Sequence, residues 1–411
     1  MTERASAPPP ARLATLDQVG RLDPYEANSK LARLIASSVG VSRADLARST
    51  GLARSTVSQL LQPLLDVGLV HEQANDTSSR GRPSTLLTLN SRAGVVLVAD
   101  MGATHGRLIV CNLGQQRLAE QIFSVDIGLG PEPVLENVIE RFQRLLREER
   151  LTEFPVRSMV VGLPSPVDFS RGTCVRPPIM PGWDGFAVGD YLRRRLDVPV
   201  LVDNDVNLMA LGEARSRPAS ESPLLFAKVS TGIGCGIVTS DGILHRGADG
   251  SAGDIGHIRV PGRDDIVCRC GNIGCVEAVA STSALLAVLR EQPGSQVTTV
   301  DDFVSLVRSG DRQAVRLVRA AATEIGEVIA MLVHMFNPAA VVLGGRMARV
   351  SDDLLAGVRA VVYSRALPLA TRGLVIERST LQEYAGAVGG AVLGIEYALS
   401  AQSIASMVQE A

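Results

Sequence analysis

The sequence lacks an apolar segment that could cross a membrane. Its longest apolar stretch, from Glu327 to Gly345, is interrupted by His334, Asn337 and Pro338, whereas a spanning helix needs about 20 consecutive apolar residues. The N-terminal residues MTERASAPPPARL also contain no apolar run that could form the core of a secretory signal. We therefore expect a cytoplasmic protein that has no membrane partner.

Cysteine is scarce, with six residues in a chain of 411. Thiols in the cytoplasm are kept reduced, so we expect no structural disulfide. Cys111, Cys174 and Cys235 stand alone among apolar residues and are predicted to be small buried side chains. The other three cysteines lie close together in the sequence, and this cluster alone suggests chemistry.

An excess of positive charge is also missing, since the formal net charge is −2. This balance excludes indiscriminate nucleic-acid binding by the whole chain, but charge can be segregated between domains. Between Asn28 and Arg92, eight Lys and Arg residues stand against four Asp and Glu residues. The length predicts two or three domains, and the basic one is N-terminal.

The N-terminal region divides into a tail and a helical domain. Residues 1–22 contain a proline run without apolar periodicity, so we expect a loose tail. A helix is predicted from Asn28, and Ser42 is a predicted N-cap for a second helix that Gly51 ends. A third helix is predicted from about Arg54 to Val67, with the apolar side chains buried.

The second and third helices, with a glycine-containing turn between them, are typical of a helix-turn-helix. In that motif the N-terminal residues of the second helix face base edges. The candidate DNA contacts on these helices are Arg43, Arg54, Ser55, Thr56, Ser58 and Gln59. An ordinary three-helix bundle would give the same helical pattern.

Two predicted strands follow the helices, over Leu69–Gln73 and Ser84–Leu89, and a polar loop separates them. The loop contains Arg80, Gly81 and Arg82, an extended cationic segment suited to a narrow minor groove. A solvated basic turn is the alternative interpretation. Helices and loop together predict a winged helix-turn-helix over residues 23–92 that binds operator DNA as a dimer.

From residue 93 onwards, apolar strands alternate with helical stretches, which predicts an α/β domain with parallel or mixed sheets. Ligands in such folds bind beyond the carboxyl ends of the strands. Small and polar residues that could approach an anion or a nucleotide there are Asp100, Gly102, Thr104, Thr231, Gly232, Gly234, Gly344 and Gly345. Tight structural turns would use the same glycines.

Asn204 and Asp205 close another predicted strand and pair an amide with a carboxylate. This combination can bind adjacent hydroxyl groups of a polyol, and in a kinase the carboxylate would be the general base. A helix cap or an Asx turn is the structural alternative.

The strongest chemical signal is the set of His257, Cys268, Cys270 and Cys275. One nitrogen and three sulfurs are the donors of a closed structural Zn²⁺ site. Gly271 and Gly274 allow the tight turn between the cysteines. A chance cluster of reduced thiols is the alternative interpretation, and we predict one structural Zn²⁺ per chain.

Four segments resemble the ROK family of repressors, open reading frames and kinases: Gly247–His257, Cys268–Glu277, Asp203–Asp205 and Gly162–Asp168. The resemblance implies an actin-like (ribonuclease H-like) two-lobed sugar-kinase fold, after an α+β winged helix-turn-helix. It places lobe 1 at residues 93–213 plus a C-terminal helix at about 384–411, and lobe 2 at 214–383. It also implies a structural zinc and sugar contacts from Asn204, Asp205, Asp254, His257 and Glu277.

The sequence departs from the kinase members of that family at several positions. Ala103 replaces the second glycine of the first phosphate motif and His105 follows it, while Arg346 replaces the third glycine of the nucleotide turn. Asp254 stands where a glutamate is usual, and Ile179 where an asparagine is frequent. These changes resemble the DNA-binding members, in which the nucleotide residues would be vestigial.

We therefore expect a homodimer or tetramer that represses carbohydrate-metabolism genes and responds to a sugar or sugar phosphate. A sugar kinase with an appended DNA-binding domain is the enzymatic alternative, because Asp205 is present. A regulator controlled by a partner protein is the third interpretation.

Overall fold

The computed structural model describes residues 11–13, 23–38, 40–74 and 85–410. Arg80, Gly81 and Arg82 of the predicted wing lie outside these residues. The described part of the N-terminal domain contains three helices and a two-stranded antiparallel sheet: α1 Pro24–Ala36, α2 Arg43–Thr50, α3 Arg54–Asp66, β1 Val70–Ala74 and β2 Thr85–Leu89.

Local capping interactions explain where the DNA-domain helices begin and end. Ser42 and Asp45 form a reciprocal capping box at the start of α2, which pairs two backbone donors that a helix leaves unbonded. Gly51 ends α2 with a φ of +71°, a backbone conformation that glycine adopts at little cost. The predicted helix, turn and helix are thus confirmed.

The first lobe is built on a five-stranded sheet in the order β5-β4-β3-β6-β9. Strand β3 is antiparallel to β4 and parallel to β6, which makes the sheet mixed as predicted. The elements of this lobe are β3 Val95–Met101, β4 His105–Asn112, β5 Arg117–Ser124, α4 Pro131–Glu148, β6 Val156–Leu163, β7 Val167–Asp168, β8 Thr173–Cys174, α5 Val188–Leu196, β9 Val200–Asn204 and α6 Asp205–Arg215.

The second lobe has a four-stranded sheet in the order β11-β10-β12-β13, covered by helices. Its elements are β10 Leu224–Val229, β11 Ile233–Val238, α7 Val276–Ala280, α8 Thr282–Arg290, α9 Val300–Arg308, α10 Arg312–Phe336, β12 Ala340–Gly344, α11 Gly345–Val350, α12 Asp352–Arg365, α13 Pro368–Thr371 and β13 Val375–Arg378. Helix α6 contacts strands of both sheets.

The C-terminal segment forms two helices, α14 Ala385–Ala398 and α15 Ala401–Glu410, so the prediction of one helix over 384–411 was wrong. The break follows from Ser400, whose hydroxyl accepts a hydrogen bond from the backbone N–H of Ser403 and so caps a new helix. Helix α14 packs on the first-lobe sheet and on α6, whereas α15 packs on α1 and α3.

Two of the three described residues of the predicted loose tail are buried. Ala11 and Leu13 are 3% and 4% exposed and belong to the core that also contains α1. The expectation of disorder was therefore wrong for residues 11–13, because composition does not register contacts with distant parts of the chain.

Among the described residues, no single helix is long and apolar enough to cross a bilayer. The segments Gln382–Ala398 and Ala401–Glu410 reach that length and composition together, but a bend of 54° separates them.

Candidate functional sites

A cavity of about 620 Å³ gathers the predicted sugar-binding residues. Asn204, Asp205, Asp254, His257 and Glu277 all line it. The candidate phosphate residues Thr104, Thr231, Gly232 and Gly234 line it too, whereas Asp100, Gly102, Gly344 and Gly345 are not among its lining residues. Residues distant in sequence thus meet in one cleft, as ligand recognition requires.

Asn204 lies where β9 ends and α6 begins, and it serves as the N-cap of α6. Its Oδ1 accepts a hydrogen bond from the N–H of Val206 at 2.8 Å, and its Nδ2 donates to the carbonyl of Ser165 at 2.8 Å. Asn204 therefore caps α6 and also lines the cleft, and these two hydrogen bonds fix the orientation of its amide.

Asp205, the first residue of α6, forms an ion pair with Lys228 of β10, which the sequence analysis did not single out. Both side chains are largely buried, at 8% and 18% exposed. The chain has two lysines, Lys30 and Lys228, against 39 arginines. Because lysine is so rare in this chain, Lys228 could have been singled out from the sequence as a candidate site residue.

Glu277 is held against the strand that follows the Thr231–Gly232 turn. Its Oε2 accepts a hydrogen bond from the N–H of Ile233 at 3.0 Å. A Cβ atom on Gly232 would lie 2.6 Å from that oxygen, so the glycine permits the close approach. Gly232 is thus needed to seat Glu277, whatever it contributes to ligand binding.

The predicted zinc donors converge. The ligand atoms of His257, Cys268, Cys270 and Cys275 all lie within 4.8 Å of one another. The Sγ atoms of Cys270 and Cys275 are 3.7 Å apart, and the Sγ of Cys268 is 3.8 Å from Nδ1 of His257. Tetrahedral ligands about 2.3 Å from Zn²⁺ would be separated by about 3.8 Å, so the donor set fits this ion.

The geometry of His257 connects the cluster of candidate metal ligands to the cleft. While Nδ1 faces Cys268, Nε2 is 3.8 Å from Oδ1 of Asp254, which also lines the cleft. A metal on one ring nitrogen would fix the tautomer and leave an N–H on the other.

The glycine turn at Gly344 and Gly345, which corresponds to the nucleotide turn of kinase members, is not part of the cleft lining. The ring of Phe226 packs on Gly344, where a Cβ atom would lie 2.1 Å from it. Arg346, which follows the turn, is paired with Asp301. A Cβ atom on Gly345, which has a φ of +86°, would lie 2.6 Å from the carbonyl oxygen of Val229. Gly344 and Gly345 therefore have a packing role in this structure.

Asp100 lies at the end of β3 behind Asp205. The pKa of Asp100 is raised to about 6, mainly by burial and in the same direction by the Asp205 carboxylate, while Lys228 and Arg107 oppose the shift. The backbone of Gly386 packs against the carboxyl group from the side of α14. A charged Asp100 thus costs stability at neutral pH.

We expect Asp100→Asn to raise the free energy of unfolding at pH 7.5 by about 1–3 kcal/mol. A carboxyl group with a raised folded pKa imposes its full penalty above about pH 6, and the penalty disappears as the pH falls towards the ordinary value of 3.8. Thermal unfolding from pH 4.5 to 7.5 measures this. The gain should shrink towards pH 4.5, and exposed Glu153→Gln serves as control; a gain independent of pH would contradict the assignment.

On α3, Arg54, Ser55, Thr56 and Gln59 are exposed, and Ser58 is half-buried. Val57, Leu61 and Leu64 on the opposite face are fully buried. Arg43 instead pairs with Glu72 of β1, which engages its guanidinium within the domain. The exposed side chains at the start of α3 can therefore reach DNA without unpacking the domain.

Comparison with known proteins agrees with this architecture. The ROK family model matches residues 96–396, and the IclR helix-turn-helix domain model matches residues 33–74. A xylose repressor from Caldicellulosiruptor bescii is 29% identical over 373 residues, which cover 88% of this chain and 93% of that protein.

Two solved structures are also similar. A ROK family transcriptional regulator, a homologue of the Escherichia coli MLC protein, superposes with a TM-score of 0.80 at 24% identity and covers 94% of this chain and 99% of its own. A ROK hexokinase from Thermus thermophilus has a TM-score of 0.59 at 30% identity and covers 72% of this chain and 97% of its own. The predicted actin-like sugar-kinase fold is confirmed, and the chain belongs to the ROK family, with an IclR-type helix-turn-helix ahead of the ROK domain.

Proposed function

We propose that this chain is a sugar-responsive DNA-binding repressor of carbohydrate-metabolism genes. The observation that carries the proposal is the presence, in one chain, of a cleft lined by all five candidate sugar residues and a helix that exposes polar side chains at its start. The xylose repressor, similar over most of both chains, supports the same function.

In this proposal the chain senses its sugar without phosphorylating it. A kinase base needs a carboxylate oxygen that can take the hydroxyl proton, and Lys228 engages one oxygen of Asp205. The Arg346–Asp301 pair follows the glycine turn that kinase members use for the nucleotide. A coupled ATP-consumption assay with each probe sugar tests the kinase alternative.

The proposed DNA complex is that of a cytoplasmic homodimer with two recognition helices in successive major grooves. Arg54, Ser55, Thr56 and Gln59 would choose the sequence, and Arg80 and Arg82 would enter the flanking minor groove. A structural Zn²⁺ on His257, Cys268, Cys270 and Cys275 would aim the His257 N–H at a sugar hydroxyl.

The test begins with a duplex that the wild-type chain selects from a random pool. We expect D-xylose, D-glucose, N-acetyl-D-glucosamine or a phosphorylated form of these to raise the Tm, since a ligand of the native state stabilises it. The same sugar should change the Kd for the duplex at least fivefold. Selection of no sequence, or failure of every sugar to affect Tm and Kd, would contradict the proposed function.

A further inference from the structure

Helix α6 connects the sugar cleft to the N-terminal segment Ala11–Leu13. It begins at Asp205 in the cleft and ends at Arg215, about 15 Å away at 1.5 Å per residue. At that far end, the N–H of Arg12 donates to the carbonyl of Arg215 at 3.0 Å. The Arg12 guanidinium donates to the carbonyls of Ala214 and Arg217.

The bonds to Ala214 and Arg215 satisfy carbonyls that a helix leaves unpaired in its last turn, and the third bond is to Arg217 just beyond the helix. They also place a cation at the C-terminal end of the helix dipole, where it is favourable. Arg12 therefore caps α6 from a position about two hundred residues earlier in the sequence. The sugar residues Asn204 and Asp205 lie at one end of this helix, and Ala11–Leu13 lies at the other.

The segment Ala11–Leu13 also contacts the DNA-binding domain. The N–H of Leu13 donates to Oγ of Ser37, the C-cap of α1, at 3.1 Å. Gln115, in the turn between β4 and β5, donates to the carbonyl of Ala11 at 2.7 Å and to that of Ala36 at 3.5 Å. Ala11–Leu13 thus lies where α1, the first lobe and α6 meet.

Charged groups of α1, α6 and α14 also meet at this junction. Arg215 pairs with Glu396 of α14 at 3.1 Å, and Arg33 of α1 donates to the carbonyl of Glu396 at 2.8 Å. Burial lowers the pKa of Arg12 and of Arg33, Glu396 opposes the shift of Arg33, and the guanidinium of Arg215 lowers both. The guanidinium of Arg215 therefore lies close enough to those of Arg12 and Arg33 for a displacement of α6 to change the electrostatic energy of all three.

Movement of the lobes must reach this contact, because α6 packs on both of them. A Cβ atom on Gly236 of β11 would lie 2.4 Å from Cβ of Ala210, and one on Gly212 would lie 2.2 Å from the carbonyl of Ala385. With so little clearance against the second-lobe sheet and α14, α6 cannot keep all its neighbours if the angle between the lobes changes.

We propose that Ala11–Leu13 is a strap that transmits sugar occupancy from α6 to the DNA-binding domain, with Arg12 as its positioning residue. This inference rests on the proposed sugar response. Sugar at Asn204 and Asp205 shifts the N-terminal end of α6, the C-terminal end moves with it, and the strap changes how α1 is held. The strap supplies a route besides the direct connection through residue 92.

The test uses the full-length chain, the duplex selected by the wild type, and whichever of D-xylose, D-glucose or N-acetyl-D-glucosamine raises the wild-type Tm. We expect Arg12→Ala to keep the sugar-induced rise in Tm, because the cleft is intact. The sugar-induced change in duplex Kd should fall from at least fivefold to less than twofold. Exposed Arg194→Ala, a matched loss of one guanidinium, should keep both responses.

Gln115→Ala provides a second variant that leaves Arg12 and α6 unaltered and should also reduce the change in Kd. Amide hydrogen exchange adds a structural readout: sugar should alter exchange in α1 of the wild type but not of Arg12→Ala. If both variants keep the full change in Kd, the strap is overturned and the proposed function stands. If no probe changes the wild-type Tm or Kd, the proposed function fails, and the strap fails with it.

Discussion

Purified Cys275→Ser protein is expected to contain well under one Zn²⁺ per chain and to unfold at least 10 °C below the wild type. Cys275 is fully buried at the start of α7, the helix that carries Glu277. Structural zinc contributes roughly 10 kcal/mol or more in small domains. Loss of a large part of that free energy would lower the Tm of a chain of this size by about 10 °C.

Elemental analysis of the purified protein and differential scanning fluorimetry measure the two effects. Cys111→Ser is the matched control, because Cys111 is also buried but lies far from the cluster in the first-lobe sheet. That variant incurs the cost of a buried hydroxyl without losing a metal ligand. A full zinc complement in Cys275→Ser, or a metal-free wild type of unchanged stability, would remove the metal centre from the proposal.

Glu277→Gln and Asp205→Asn are expected to abolish the sugar response and to leave sugar-free DNA binding within about threefold. A hydrogen bond to a charged group contributes about 1.5–3 kcal/mol, so each change should weaken sugar binding by roughly 10- to 100-fold. Glutamine at 277 can still accept the hydrogen bond from Ile233. Asparagine at 205 leaves Lys228 without its counter-ion, and we expect it also to lower the Tm.

Calorimetric titration with the active sugar and gel-shift titration with the selected duplex separate the two functions. Thr371→Ala, on the second lobe away from the cleft, should behave as wild type in both. A normal sugar response in either cleft variant would show that the sensor lies elsewhere. Loss of DNA binding by a folded variant would likewise contradict the separation of the two sites.

The sequence predicted best what depends on local patterns. The N-cap Ser42, the turn at Gly51 and the buried face of α3 are set by residues a few positions apart. The convergence of His257 with the three cysteines was predictable because few other uses exist for such closely spaced reduced cysteines and a histidine. The alternation of strands and helices likewise identified the α/β class.

What the sequence could not predict depends on tertiary contacts. Lys228 lies on β10 of the second-lobe sheet and Asp205 begins α6 after the first-lobe strand β9, and nothing in their local sequence pairs them. Arg12 contacts Arg215 across some two hundred residues, and proline-rich surroundings suggested disorder instead. The sequence offered a helix cap and a ligand contact as alternatives for Asn204, but in the structure the residue that caps α6 also lines the cleft.

The contact of α15 with α1 and α3 has a consequence for synthesis of the chain. Leu399 and Ile404 share one apolar cluster with Leu31, Ile35 and Leu61 of the DNA-binding domain. Domains on a ribosome generally fold in the order in which they emerge, but this N-terminal domain cannot complete its packing until Leu399 and Ile404 have emerged. A chain that stops before Leu399 therefore lacks part of the core of the DNA-binding domain, and we expect such a truncation to damage DNA recognition before it damages the cleft.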